Sequence, residues 1–265
     1  MEQYLTEDLG VPRNRIQRLL GSKEHTSPGD LIYPSRAHII DTLVSIIHNS
    51  EILYGDNIII YYSGHGSYYL SEEQGDETEY IEALCPIDRD IFDDDGKPIP
   101  DISDRELNTI LTQISRFKGH RITVILDCCH SGGVSRGLPE SGARTSSPTK
   151  WATLKDMLLA GDKKLRDYPG YQSILSKDWY PDMDSHVLLA ACKAHQFAKP
   201  KMVEGKDGAK GYIGIFTDSL VRVLRSGYCT RETTYADLVH YFDQTLHQTP
   251  VVAGKRRDAR IWYPE

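Results

Sequence analysis

No stretch of this sequence approaches the roughly 20 consecutive apolar residues that cross a bilayer, and no leader-like opening is present. Neither a membrane span nor a signal peptide is therefore expected. Basic clusters are also missing. Lys and Arg number 31 against 38 Asp and Glu, a net charge of -7, and binding to phosphate backbones needs grouped cations. Nucleic acid is not an expected partner, and a cationic substrate suits this field better. Cysteine is scarce and odd in number, with five residues: Cys85, Cys128, Cys129, Cys192 and Cys229. Adjacent Cys128 and Cys129 make poor disulfide geometry, and the C-x-x-C spacing of zinc sites is absent. Reduced thiols and a cytoplasmic or nuclear location follow as expectations. The Gly-rich stretch Ser131 to Gly137 lacks the Lys-Ser/Thr ending of a phosphate loop. Asp93-Asp94-Asp95-Gly96 shares only its composition with a calcium loop and reads as a solvated turn.

What is present fits one soluble α/β domain: 265 residues, 39% hydrophobic and 26% charged. Gln3 to Leu9 reads as the tail of a helix stopped by Gly10 and Pro12, and Arg15 to Leu20 as a short strand. Ile39, Ile40, Leu43, Ile46 and Ile47 predict an amphipathic helix over Ser35 to Asn49. Ile58 to Tyr62 lacks alternation, as a parallel strand buried on both faces does. A hairpin or long loop is expected over Tyr68 to Leu84. Ser103 and Glu106 predict a capping box ahead of a helix carrying Leu107, Ile110, Leu111 and Ile114. Ile122 to Leu126 is the next buried strand. From Val134 to about Asp184 the pattern dissolves, apart from a short helix at Trp151 to Leu159, and reads as a mobile insertion. A strand at His186 to Ala191 and helices at Phe216 to Arg225 and Tyr235 to Leu246 complete the chain. Alternating strands and helices predict a three-layer α/β/α sandwich around a mainly parallel sheet.

Two strand ends carry chemistry. One runs into Tyr62-Ser63-Gly64-His65-Gly66-Ser67, the other into Asp127-Cys128-Cys129-His130-Ser131-Gly132-Gly133. Ligands of open parallel sheets bind beyond the carboxyl ends of strands, where His65 and Cys129 both fall. An imidazole there can promote a thiolate or protonate a leaving amine. Glycines permit close approach, and backbone N–H groups at Gly66 and Cys129 are candidates to hold an oxyanion. Ser-Gly-His-Gly alone is more often a turn than a catalytic loop; its pairing with the second motif reverses the odds.

These motifs resemble those of the metacaspase-type members of the caspase-fold cysteine peptidases. The matching stretches are Tyr61 to Ser67, Ala83 to Asp88, Asp127 to Gly132, and His186 to Ala194 through Gly214 to Thr217, in family order and across nearly the whole chain. The resemblance implies a caspase-like domain over 1–265, with a large-subunit-like part (1–133), a flexible insertion (134–184) and a small-subunit-like part (185–265). It implies Cys129 as nucleophile and His65 as its partner. Asp127 and Ser63 match the pocket that receives the residue before the scissile bond, so protein or peptide substrates with Arg or Lys there are expected. Cys128 receives no catalytic role. Arg136, Arg144, Lys150, Lys163, Lys164 and Arg166 put candidate cleavage sites on the flexible insertion and motivate self-processing into a large and a small fragment, with a passive surface loop an equally weighted reading for any one of them.

Three departures accompany the resemblance. The family's usual N-terminal first strand and its acidic turn are absent, which implies exposed apolar surface and unpaired backbone on the neighbours. The four acidic positions that bind calcium in many relatives correspond here to Ile81, Asp101, Ile102 and Arg136. Calcium wants six to eight oxygen ligands, so weak or no calcium dependence is expected, with Glu79, Glu82 and Asp104 the only substitutes nearby. No other cofactor is implied. Finally, Gln196 stands near a place where some relatives have an acid, with Lys199 and Lys201 close by. Two rival readings remain: a catalytically impaired regulatory or interaction module, or truncated gene product, and a thiol acyl-transfer enzyme such as an esterase, which needs no acidic pocket.

Overall fold

Ser35 accepts a hydrogen bond from the His38 N–H (3.1 Å) and so starts helix α1 (Arg36–His48), whose buried stripe is Ile40, Leu43 and Ile47. The computed structural model describes residues 1–21, 26–70, 80–128, 143–193, 196–204, 210–242 and 248–262. After α1 come strands β1 (Ile58–Ser63), β2 (Gly66–Leu70), β3 (Tyr80–Leu84) and β4 (Ile102–Ser103), then helix α2 (Asp104–Lys118) and strand β5 (Ile122–Asp127). Helix α3 (Leu154–Leu165), strands β6 (Val187–Ala190), β7 (Pro200–Glu204) and β8 (Lys210–Gly214), helices α4 (Ile215–Arg225) and α5 (Tyr235–His240), and strand β9 (Val251–Ala253) follow.

The main sheet has the order β1-β5-β6-β9, with β1, β5 and β6 parallel and β9 antiparallel. Its middle strand β5 is buried along its whole length. Ile122, Val124 and Leu126 join the core formed by α1 and α2, whereas Ile125 points into the core of α4 and α5. The period-2 alternation of one strand therefore sets the three layers, and full burial of such side chains contributes about 1.5–3 kcal/mol each. A separate antiparallel sheet, β2-β3-β4, contains the expected hairpin.

Four expectations change. Strand β1 is not buried on both faces: Ile58 is, but Tyr61 is 37% exposed, and among the described residues only β5 pairs with it. Arg15 to Leu20 forms no strand. A short turn at Arg13–Arg15 leads into extended chain outside any described sheet, since no strand among the described residues offers it a ladder. The capping box at Ser103 is half made: Ser103 accepts from the Glu106 N–H (3.1 Å), but the Glu106 carboxylate goes to Arg36 (2.5 Å) instead of returning to the cap. The stretch read as a mobile insertion is, from residue 143 onward, helix and packed chain, with Met157, Leu165 and Ile174 fully buried. The expected short helix at Trp151 to Leu159 falls mostly within α3, and outside that helix the apolar positions are too widely spaced for a periodicity count to detect.

Candidate active site

Parallel pairing of β1 with β5 puts Ser63 directly beside Asp127. Asp127 is fully buried. Its Oδ2 accepts from the Thr217 N–H (3.1 Å) and from the Thr217 hydroxyl. Helix α4 begins after Gly214, which has no side chain to cap it, so Asp127 supplies the missing acceptor from β5. The approach is so close that a Cβ on Gly214 would lie 1.8 Å from Oδ2. The Tyr61 hydroxyl meets Thr217 Oγ1 at 2.8 Å and closes the network.

A cation sits in this pocket. Arg144 Nη1 donates to Ser63 Oγ (2.7 Å) and to the Asp127 carbonyl (2.8 Å), and lies 3.2 Å from Asp127 Oδ1. That second carboxylate oxygen is buried and receives no hydrogen bond among the described residues. The backbone around Arg144 is held on both sides. Its N–H donates to the Ala198 carbonyl (3.0 Å), its carbonyl accepts from the Gly66 N–H (3.1 Å), and the Ser146 N–H returns to the Gly66 carbonyl (2.8 Å). Thr145 thereby pairs with Gly66 as a one-residue parallel bridge.

His65 lies between β1 and β2 at the exposed rim of this cleft. Its backbone carbonyl accepts from the Tyr62 hydroxyl (2.8 Å) and the Cys85 N–H (3.1 Å). The Tyr62 side chain folds back over Gly64, where a Cβ would lie 2.6 Å from its hydroxyl oxygen. Partial desolvation lowers the imidazole from its ordinary value; a hydrogen bond with the Thr145 backbone opposes this, while the Arg144 and Arg89 guanidiniums reinforce it. The imidazole is therefore neutral and able to accept a proton near pH 7. Cys129 and His130 lie outside the described residues, as do Arg136 and Glu79. Cys128 is buried, and burial first of all pushes the Cys85 thiol up to about 12, which leaves Cys85 an inert packing group.

The remaining sequence candidates fall elsewhere. Gln196 turns to Thr249, accepting from its N–H (2.7 Å), and Lys201 is tied to Asp218 (2.5 Å). The three calcium positions among the described residues, Ile81, Asp101 and Ile102, offer that ion no free oxygen side chain. Ile81 and Ile102 are buried apolar groups, and both oxygens of buried Asp101 are taken: Arg89 Nε donates to Oδ1 (2.8 Å), while Arg89 Nη2 (2.9 Å), Tyr69 (2.9 Å) and Ser67 (2.5 Å) donate to Oδ2. Glu82 and Asp104 face a cavity of about 230 Å³ with Cys128, Trp179 and His186. Burial and the neighbouring Glu82 push Asp104 up to about 7. Among the described residues no three His, Cys, Asp or Glu side chains are grouped to hold a metal. Sequence reasoning missed Arg89, Tyr69 and Ala198 altogether. Their roles depend on long-range pairings that no local pattern encodes.

Fold and site together define the caspase-like α/β class. A family model described as "Metacaspase, peptidase C14 domain" matches residues 1–136, and the chain belongs to that family. It is 30% identical over 135 residues to Metacaspase III c of Phaeodactylum tricornutum, which covers 51% of this chain and 35% of that protein. It is 26% identical over 135 residues to Metacaspase-4 of Arabidopsis thaliana, covering 51% and 28%. The matched region thus spans about a third of these relatives. Protein GSU0716 from Geobacter sulfurreducens shares the fold, with a TM-score of 0.51 at 22% identity over 84% of this chain and 74% of that one. No helix among the described residues is long and apolar enough to cross a membrane.

Proposed function

We propose that this chain is a cysteine-type endopeptidase that cuts after Arg or Lys, with Cys129 as nucleophile and His65 as proton carrier. The observation that carries the reading is the pocket formed by Asp127 and Ser63, which holds a guanidinium. A buried carboxylate with one oxygen fixed by Thr217 and the other facing the cleft selects a cation by charge and rejects an acidic side chain by repulsion. A true caspase-like preference for Asp is accordingly not expected. In the proposed reaction the Cys129 thiol gives its proton to His65 and attacks the substrate carbonyl. The Gly66 N–H stabilises the resulting oxyanion, His65 returns the proton to the leaving amine, and water then hydrolyses the thioester. Because Asp101 is neutralised by Arg89, the reading includes independence from calcium.

The test is a panel of Arg-, Lys- and Asp-terminated fluorogenic peptides, with and without calcium, on the wild-type chain and on Asp127→Ala. Removing one partner of a buried charge pair costs about 2–5 kcal/mol, so kcat/KM for the Arg peptide should fall at least about 30-fold. Unchanged turnover would sink the pocket assignment, and strict calcium dependence would sink the metal-free reading. The rival regulatory-module reading draws on one observation, that β5 alone pairs with β1 among the described residues. It predicts no turnover of any peptide.

A further inference from the structure

The cavity of about 230 Å³ that Glu82 and Asp104 face lies on the α2 side of the main sheet. Asp127 points the other way, to Thr217 of α4. Strand alternation makes the floor: Val124 and Leu126 of β5 turn their side chains toward α2, and Leu188 of β6 stands beside Val124 in the ladder. Leu107 and Leu111, one turn apart on α2, form a wall, and Trp179 and Met183 form the roof.

That roof is tied down. Asn108 of α2 donates to the Asp182 carbonyl (3.1 Å) and accepts from the Asp182 N–H (2.8 Å). Arg105 donates to the Ser176 carbonyl (3.2 Å) and lies over the Trp179 ring, 5.2 Å from its centre. At the other end the Lys255 N–H, just beyond β9, donates to the Met183 carbonyl (2.8 Å). The space is therefore preformed, as ligand sites usually are. Its size suits one small ring system, since an apolar cavity of about 150 Å³ already takes benzene.

The polar end of the cavity is negative. Desolvation, and after it the charge of Glu82, push the Asp104 carboxyl up to about 7, against hydrogen bonds from the Arg105 and Glu82 backbone N–H groups. His186, also on the lining, is held neutral by burial, with a pKa of about 4. No Lys or Arg lines the cavity among the described residues. Arg105 spends its guanidinium on the Ile174 and Ser176 carbonyls.

We propose that this cavity is a binding site for a small arylalkyl ammonium ion, with the ring between Leu111, Leu188 and Trp179 and the cationic head between Glu82 and Asp104. The ring buries apolar surface. The head ends the repulsion between the two carboxylates and makes charge-assisted hydrogen bonds to them. A divalent cation is the rival occupant. It would leave the apolar lining unused, and among the described residues no three His, Cys, Asp or Glu side chains are grouped to hold one. The site does not depend on the peptidase reading.

The test is calorimetric titration of the full chain at pH 8, where Asp104 has given up its proton, with tryptamine, 3-ethylindole and indole-3-propionate. These probes share a ring and differ in charge. Tryptamine should bind at least about tenfold tighter than 3-ethylindole, with indole-3-propionate the weakest. The double variant Glu82→Gln, Asp104→Asn keeps the shape of the cavity and should bring tryptamine to the affinity of 3-ethylindole, leaving the latter unchanged. Ala253, the ladder partner of Leu188, also lines the cavity, so Ala253→Phe fills it and should abolish binding of both. A thermal melt shows whether that variant is folded; if it is not, the double variant decides. Equal affinity for the three probes, no tryptamine binding at ~1 mM, or binding that survives in folded Ala253→Phe overturns the proposal. So does calcium binding that the double variant removes and tryptamine does not displace.

Discussion

Two buried carboxylates, Asp101 and Asp127, each face an arginine, yet they are built differently. Asp101 is saturated: Arg89 clasps both its oxygens in a fork, and Ser67 and Tyr69 add hydroxyl donors. Asp127 is saturated on one side only, by Thr217, while its other oxygen has the Arg144 cation at 3.2 Å and no hydrogen bond among the described residues. Arg144 divides its donors between Ser63 and a backbone carbonyl. The first pair is a closed joint. The second leaves one carboxylate oxygen without a hydrogen bond among the described residues, as the proposed recognition of an incoming Arg or Lys requires.

The contrast can be broken by measurement. Asp101→Asn leaves Arg89 buried without its counter-charge, and loss of one member of a buried pair costs about 3–5 kcal/mol. Urea denaturation should show this as the largest destabilisation of the series. Arg144→Ala opens Asp127 to the cleft and its water, and should cost less than Asp101→Asn, about 1–3 kcal/mol. A loss equal to that of Asp101→Asn would show both pairs to be joints.

Titration gives finer tests. His65 has a lowered pKa, so its proton-accepting form persists below pH 6.5, and the acid limb of kcat/KM for an Arg peptide should lie below that value. Arg144→Ala removes one of the two repelling guanidiniums and should move the limb upward. His186 is depressed by burial to about 4, with Asp182 opposing. The unfolded chain binds this proton near 6.5 and the native chain does not bind it until about 4. Its contribution is therefore complete above pH 6.5 and is lost progressively as pH falls toward 4. Thermal melts across that window should slope accordingly, and His186→Gln should flatten the slope.

Sequence patterns made the strands and helices that flank the site legible because their burial is periodic or continuous: α1 through its helical stripe, β5 through its unbroken apolar run, α4 through Phe216, Leu220 and Val223. Ser63, His65, Gly66 and Asp127 were legible as strand-end punctuation. That β1 has one partner strand among the described residues was not, because a run such as Ile58 to Tyr62 reads the same whether one neighbour is present or two. Nor did the sequence reveal that Glu106 abandons its capping box: Arg36 reaches it from a helix 70 residues earlier. Arg144 stood out only as one basic residue among several. What distinguishes it is Asp127, 17 residues earlier, together with Ala198 from a later loop.

The anchoring of Asp127 by Thr217 has a consequence in time. The two residues are 90 positions apart, and a chain is made from its N-terminus at about 5–20 residues per second. A nascent chain therefore carries Ser63, Asp127 and Arg144 for several seconds before Gly214 and Thr217 exist to complete the socket. The order of synthesis therefore completes the anchored carboxylate only once Thr217 has been made.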